Sequence, residues 1–99
     1  MKTVFVDTSG FYAFLDGGDH FNPKVKKVFL EAEKAGWHLV TTNYVVHESW
    51  ALIQARLGWV AVEAWLTSML PLCEIVWVDQ HLHELAKPAA DRPRNAGSV

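Results

Sequence analysis

The chain has 99 residues, 51% of them apolar and 20% charged, which fits one globular domain and leaves no room for a second. A formal charge of -2 gives no global pull toward RNA or an anionic membrane, so any nucleic-acid contact has to come from a local patch. The single Cys73 excludes an internal disulfide, no charged-then-apolar leader precedes the first strand-like run, and Pro71 and Glu74 interrupt the apolar region from Trp65 to Val78. That region therefore falls short of the roughly 20 residues a membrane span needs, and a cytoplasmic protein is expected.

Thr3 to Val6 is β-branched and aromatic without alternation, the pattern of a strand buried on both faces in a parallel sheet. Thr8 or Ser9 can cap a short helix carrying Phe11, Tyr12, Phe14 and Leu15, with Gly17-Gly18 as its stop. Asn22 followed by Pro23 predicts a second helix with asparagine as cap, in which Val25, Val28, Phe29 and Ala32 recur at helical spacing until Gly36. His38 to Thr41 predicts a second strand. Asn43 can cap a third helix with Val46, Trp50, Ile53 and Leu57 in one stripe, closed by Gly58. A fourth follows with Val62, Trp65, Leu66 and Met69 inward until Pro71, and Glu74 to Val78 predicts a third strand. Asp79 can cap a last turn or two, and beyond Lys87 the prolines at 88 and 93 predict an irregular tail, residues 88–99, outside a domain of residues 1–87.

Strands alternating with helices imply parallel pairing through right-handed crossovers, hence a layered α/β fold whose strand carboxyl ends face the binding crevice. Asp7, just after the first strand, lies at that end. Two readings are open: a ligand for a hard metal ion, or a cap for the helix that follows. Glu48 falls in the second turn of its helix between Val45 and Leu52, where it is either a site acid or a solvated helix-edge residue. His20, His38, His47, His81 and His83 share no metal-ligand spacing, and Cys73, leading into a strand, reads as a structural residue. The five tryptophans read as core packing. Lys24, Lys26, Lys27 and Lys34 share one helix, so Lys24 and Lys27 are candidate RNA contacts, beside the plainer reading of a solvated lysine face.

Two segments resemble a known family. Val4-Phe5-Val6-Asp7-Thr8-Ser9-Gly10-Phe11-Tyr12-Ala13 is similar to the opening of PIN domains. Thr41-Thr42-Asn43-Tyr44-Val45-Val46-His47-Glu48, with Arg56-Leu57-Gly58, is similar to the segment that carries the family's second acid, and Glu74 to Asp79 looks like the strand that follows in VapC-like members. The resemblance implies a three-layer α/β/α PIN-like fold with a parallel sheet, and an Mg²⁺- or Mn²⁺-dependent endoribonuclease toxin held in check by a protein antitoxin. It makes Asp7 and Glu48 the catalytic, metal-site acids, with the hydroxyls of Thr8 and Ser9 in support. Such ions neutralise phosphate charge and activate a water, and carboxylate oxygens are the ligands they prefer.

The family continues with a helix that begins on another acid and then two strands, where this sequence reads Asp91-Arg92-Pro93 and then Arg94 to Val99. A truncated or frameshifted member is therefore expected, lacking the C-terminal strands and the third and fourth acids. Its first strand then forms an apolar edge that favours a homodimer. The alternative function is a catalytically inactive remnant acting as a binding or oligomerisation module. Asp7 as a phosphoryl-accepting nucleophile is disfavoured, because Ser9 stands where one such family needs an acid and the acidic pair of another is missing.

Overall fold

A computed structural model describes residues 2–79. Its elements in chain order are β1 (Thr3–Phe5), α1 (Thr8–Leu15), α2 (Asn22–Ala35), β2 (His38–Thr42), α3 (Asn43–Leu57), α4 (Trp59–Ala64) and β3 (Cys73–Val76). A π-helical turn (Trp65–Met69) and a 3₁₀ turn (Leu70–Leu72) lead from α4 into β3. The sheet order is β1-β2-β3 and both pairings are parallel. Parallel neighbours cannot be joined by a hairpin, which is why two helices fill each connection.

Register decides which side chains reach the core. Val4 lies opposite Leu39, and Leu39 opposite Cys73, so Val4, Val6, Leu39 and Thr41 share one face and are all buried. On the other face Thr3 and Glu74 are exposed, and Phe5, His38 and Val40 are half-buried. Among the described residues, then, the first strand is fully covered on one side, not on both. Among the described residues it also pairs on one edge only, with β2.

Helix periodicity supplies the rest of the core. Val25, Phe29 and Ala32 of α2 are buried, and so are Val62, Trp65 and Met69 along α4 and the π turn. The Phe11 and Trp65 rings meet edge to face at 5.6 Å, and Phe14 meets Phe29 at 5.1 Å. Such pairs add about 0.5–1.5 kcal/mol to the burial of their area. Gly36 ends α2 in the left-handed region at φ 68°, a conformation that costs other residues about 1–2 kcal/mol.

Several helix starts differ from expectation, each because a better partner was available. α1 is capped by Asp7, whose carboxylate accepts from Gly10 N, and not by Thr8 or Ser9. α3 is capped by Thr42, whose hydroxyl accepts from Val45 N at 3.2 Å. Asn43 is thereby free to grip Val78 by both backbone groups, accepting from its N–H at 2.7 Å and donating to its carbonyl at 3.1 Å. Asn22 does not cap α2. Its side chain donates to the carbonyls of Ala13 and Phe14 at 2.7 and 3.0 Å, satisfying the carboxyl end of α1 instead.

The tryptophans are also corrected. Trp65 is fully buried, but Trp50, Trp59 and Trp77 are 37%, 55% and 73% exposed. Trp59 opens α4 and leans on Trp50 at 6.4 Å at the surface. Among the described residues no helix is long and apolar enough to cross a membrane. The expected last turn after Asp79, His81, His83, Asp91 and the tail from residue 88 lie outside the described residues.

Candidate active site

β1 and its extension deliver Asp7 to the carboxyl end of the sheet. Val6, with no exposed surface, donates its N–H to Val40 O at 2.8 Å. Asp7 is then extended, at φ -100° and ψ -179°, before the chain turns into α1. Its Oδ1 accepts from Ser9 Oγ at 2.7 Å and from Gly10 N at 3.1 Å. The two sequence readings of Asp7 are thus compatible. One oxygen caps the helix, while Oδ2 accepts no hydrogen bond among the described residues.

Thr8 points inward. Its Oγ1, in a residue only 9% exposed, accepts from the buried Ser49 Oγ at 3.2 Å. Thr41 Oγ1, also buried, donates to Val6 O at 2.8 Å. The Ser49–Thr8 bond thus ties α3 to α1, and the Thr41–Val6 bond ties β2 to the residue just before Asp7. Thr8 follows Asp7 and Ser49 follows Glu48, so the Thr8–Ser49 bond draws together the two acid-bearing segments. Glu48 itself is exposed on α3 and meets no cation among the described residues. These residues contain no group of three or more His, Cys, Asp or Glu able to hold a metal ion.

Sequence reasoning missed Ser49 and Thr41. A signal for Ser49 was present: it lies four residues before Ile53 on the stripe that faces the core, and both are buried. Also missed was an open groove of about 490 Å³ between α1, α2 and α3, lined by Ser9, Tyr12, Phe21, Lys24, Leu52 and Arg56 among others. Of the two candidate RNA lysines, Lys24 borders this groove, while Lys27 is exposed on α2 away from its lining. Arg56 lies over the Tyr12 ring at 5.7 Å, a cation–π contact that leaves its charge available.

Two of the residues set aside, Cys73 and His38, have defined surroundings. Burial pushes the Cys73 thiol up to about 11, far from a nucleophile's range. His38 is engaged with Glu74 at 2.9 Å across β2 and β3.

No family model matches the chain, and no curated protein matches its sequence. A solved structure does: the VapC20 toxin of Mycobacterium tuberculosis, described as cleaving the sarcin-ricin loop. The match has a TM-score of 0.72 and 26% sequence identity, over 93% of this chain and 72% of that one. A likeness of that extent, together with the three-stranded parallel sheet, gives this chain the PIN-like fold and makes it similar to that VapC toxin.

Proposed function

We propose that the chain is a metal-dependent endoribonuclease of the toxin–antitoxin type, hydrolysing RNA phosphodiester bonds at the carboxyl end of its sheet. The observation that carries the reading is the fold-wide likeness to a VapC toxin, with Asp7 set rigidly at the crevice end of β1. The donor set suits Mg²⁺ or Mn²⁺, since both candidate acids offer carboxylate oxygens and Asp7 keeps Oδ2 unused. When bound, the ion supplies phosphate charge neutralisation and an activated water. Asp7 and Glu48 would hold it. The Ser9 hydroxyl fixes the Asp7 rotamer, and Thr8 anchors α1 to α3, so the carboxylate is positioned before substrate arrives.

In this reading the protein works in the cytoplasm, and a protein antitoxin restrains it. The open edge of β1 among the described residues favours a homodimer. The test is cleavage of a structured RNA with Mg²⁺ or Mn²⁺, with Asp7→Asn purified in parallel. Metal-dependent cleavage that disappears in the variant supports the proposal. Absence of cleavage by the unaltered chain favours a second reading, a non-catalytic binding module. What favours that reading is that no third acid is grouped with Asp7 and Glu48 among the described residues, because two carboxylates hold Mg²⁺ weakly.

A further inference from the structure

We infer that the groove between α1, α2 and α3 is a nucleobase subsite, which receives an unstacked base of single-stranded RNA next to the Asp7 centre. The inference rests on the nuclease reading for its choice of ligand but on separate residues for its chemistry.

Ser9 and Gly10, which both donate to Asp7 Oδ1, are part of the groove's lining. A chain crossing the Asp7 end of the sheet has its neighbouring nucleotide at the groove mouth. Four of the residues lining the groove, Ala13, Val25, Val28 and Leu52, are aliphatic. Two aromatic rings, Tyr12 and Phe21, stand along it. Phe21 is 57% exposed, an unusual position for a phenylalanine whose backbone is tied down. Its N–H donates to Asp19 Oδ1 at 2.8 Å, and its carbonyl accepts from Val25 N at 2.9 Å as α2 begins. A rigidly based, open ring is the form of a stacking platform.

Charge then selects the occupant. Lys24 and Arg56 border the groove, and neither forms an ion pair among the described residues. The one acid in the lining, Asp19, already accepts from Phe21 N. A chain with net charge -2 has thus gathered two cations around an aromatic and aliphatic slot. A base with its flanking phosphates complements that arrangement, since bases stack on aromatic faces while phosphates pair with Lys and Arg. A volume of about 490 Å³ lies within the range of roughly 300–1,000 Å³ usual for small-ligand pockets.

The experiment measures binding of a short fluorescein-labelled single-stranded oligoribonucleotide by fluorescence anisotropy, in EDTA so that cleavage plays no part. The same strand carrying an abasic residue is the comparison. The intact strand is expected to bind about 5- to 100-fold more tightly than the abasic one. Phe21→Ala should remove most of that difference, and Arg56→Gln should weaken both strands and lower the salt slope by about 0.7. Equal affinity for the two strands overturns the inference. So does RNA binding untouched by Phe21→Ala and Arg56→Gln alongside lost binding of a co-expressed antitoxin, which assigns the groove to a protein segment. Base-dependent binding without metal-dependent cleavage would sink the nuclease reading and leave the groove assignment standing.

Discussion

Ser49 Oγ donates to Thr8 Oγ1 at 3.2 Å in the buried layer between α3 and α1. Neither hydroxyl reaches solvent freely, so each depends on the other for its hydrogen bond. Ser49→Ala is expected to destabilise the fold by about 1 kcal/mol, and Thr8→Val by a similar amount. The double variant should cost clearly less than the sum, because the second change no longer strands a partner. Urea unfolding of the four proteins measures this. Strict additivity would mean that the hydroxyls do not bond.

Asp7 has two duties that substitutions can separate. Asparagine is as good a helix cap as aspartate, so Asp7→Asn should keep the bond from Gly10 N and change stability little, while removing the charge needed for metal. Asp7→Ala loses the cap as well and should cost about 1 kcal/mol. Thermal unfolding together with an RNA cleavage assay distinguishes the two. If Asp7→Asn unfolds as readily as Asp7→Ala, the capping role is wrong.

Asn43 holds the chain beyond β3 through both backbone groups of Val78. Asn43→Ala removes both bonds and is expected to cost about 1–3 kcal/mol. The loss should be local first. The amide of Val78 is expected to exchange with solvent much faster in the variant while that of Val6, bonded to Val40 O, keeps its protection. Hydrogen exchange by NMR reads both amides in one experiment.

Cys73 should resist alkylation. With burial holding its thiol at about 11 against a normal 9.0, little thiolate is present near pH 8. The sign for stability follows: the native state favours the protonated thiol, so its contribution is complete below pH 9.0 and fades as pH rises toward about 11. Cys73→Ala should flatten that alkaline loss. Iodoacetamide labelling with and without denaturant tests the first expectation, and unfolding across the alkaline range tests the second.

Much of this fold can be read in the sequence because periodicity and punctuation are local signals. The Val62, Trp65 and Met69 stripe and the left-handed Gly36 were both legible, and both depend on near neighbours in the chain. The caps were not. Asp7-Thr8-Ser9 and Thr42-Asn43 each offer consecutive residues able to accept a helix N–H, and distant groups decide among them. Thr8 is claimed by Ser49, and Asn43 by Val78. Trp59 has helical spacing to Val62, yet it turns to Trp50 at the surface. Asp7 and Glu48 could be proposed as site acids from the sequence, but the groove beside Asp7 joins residues of three helices.

The sheet's topology also constrains how the chain is made. Closing β1 onto β2 joins Val6 to Thr41 across 35 residues. While the ribosome is still adding α1 and α2, Val4 and Val6 have no strand to pair with. The amino-terminal segment therefore leaves the exit tunnel as an apolar run without a ladder, and it stays a target for chaperones and for neighbouring nascent chains until β2 follows. Slowing translation between the codons for Ala35 and Thr42 prolongs that interval, so silent codon changes there are expected to lower the yield of folded protein without altering one residue of it.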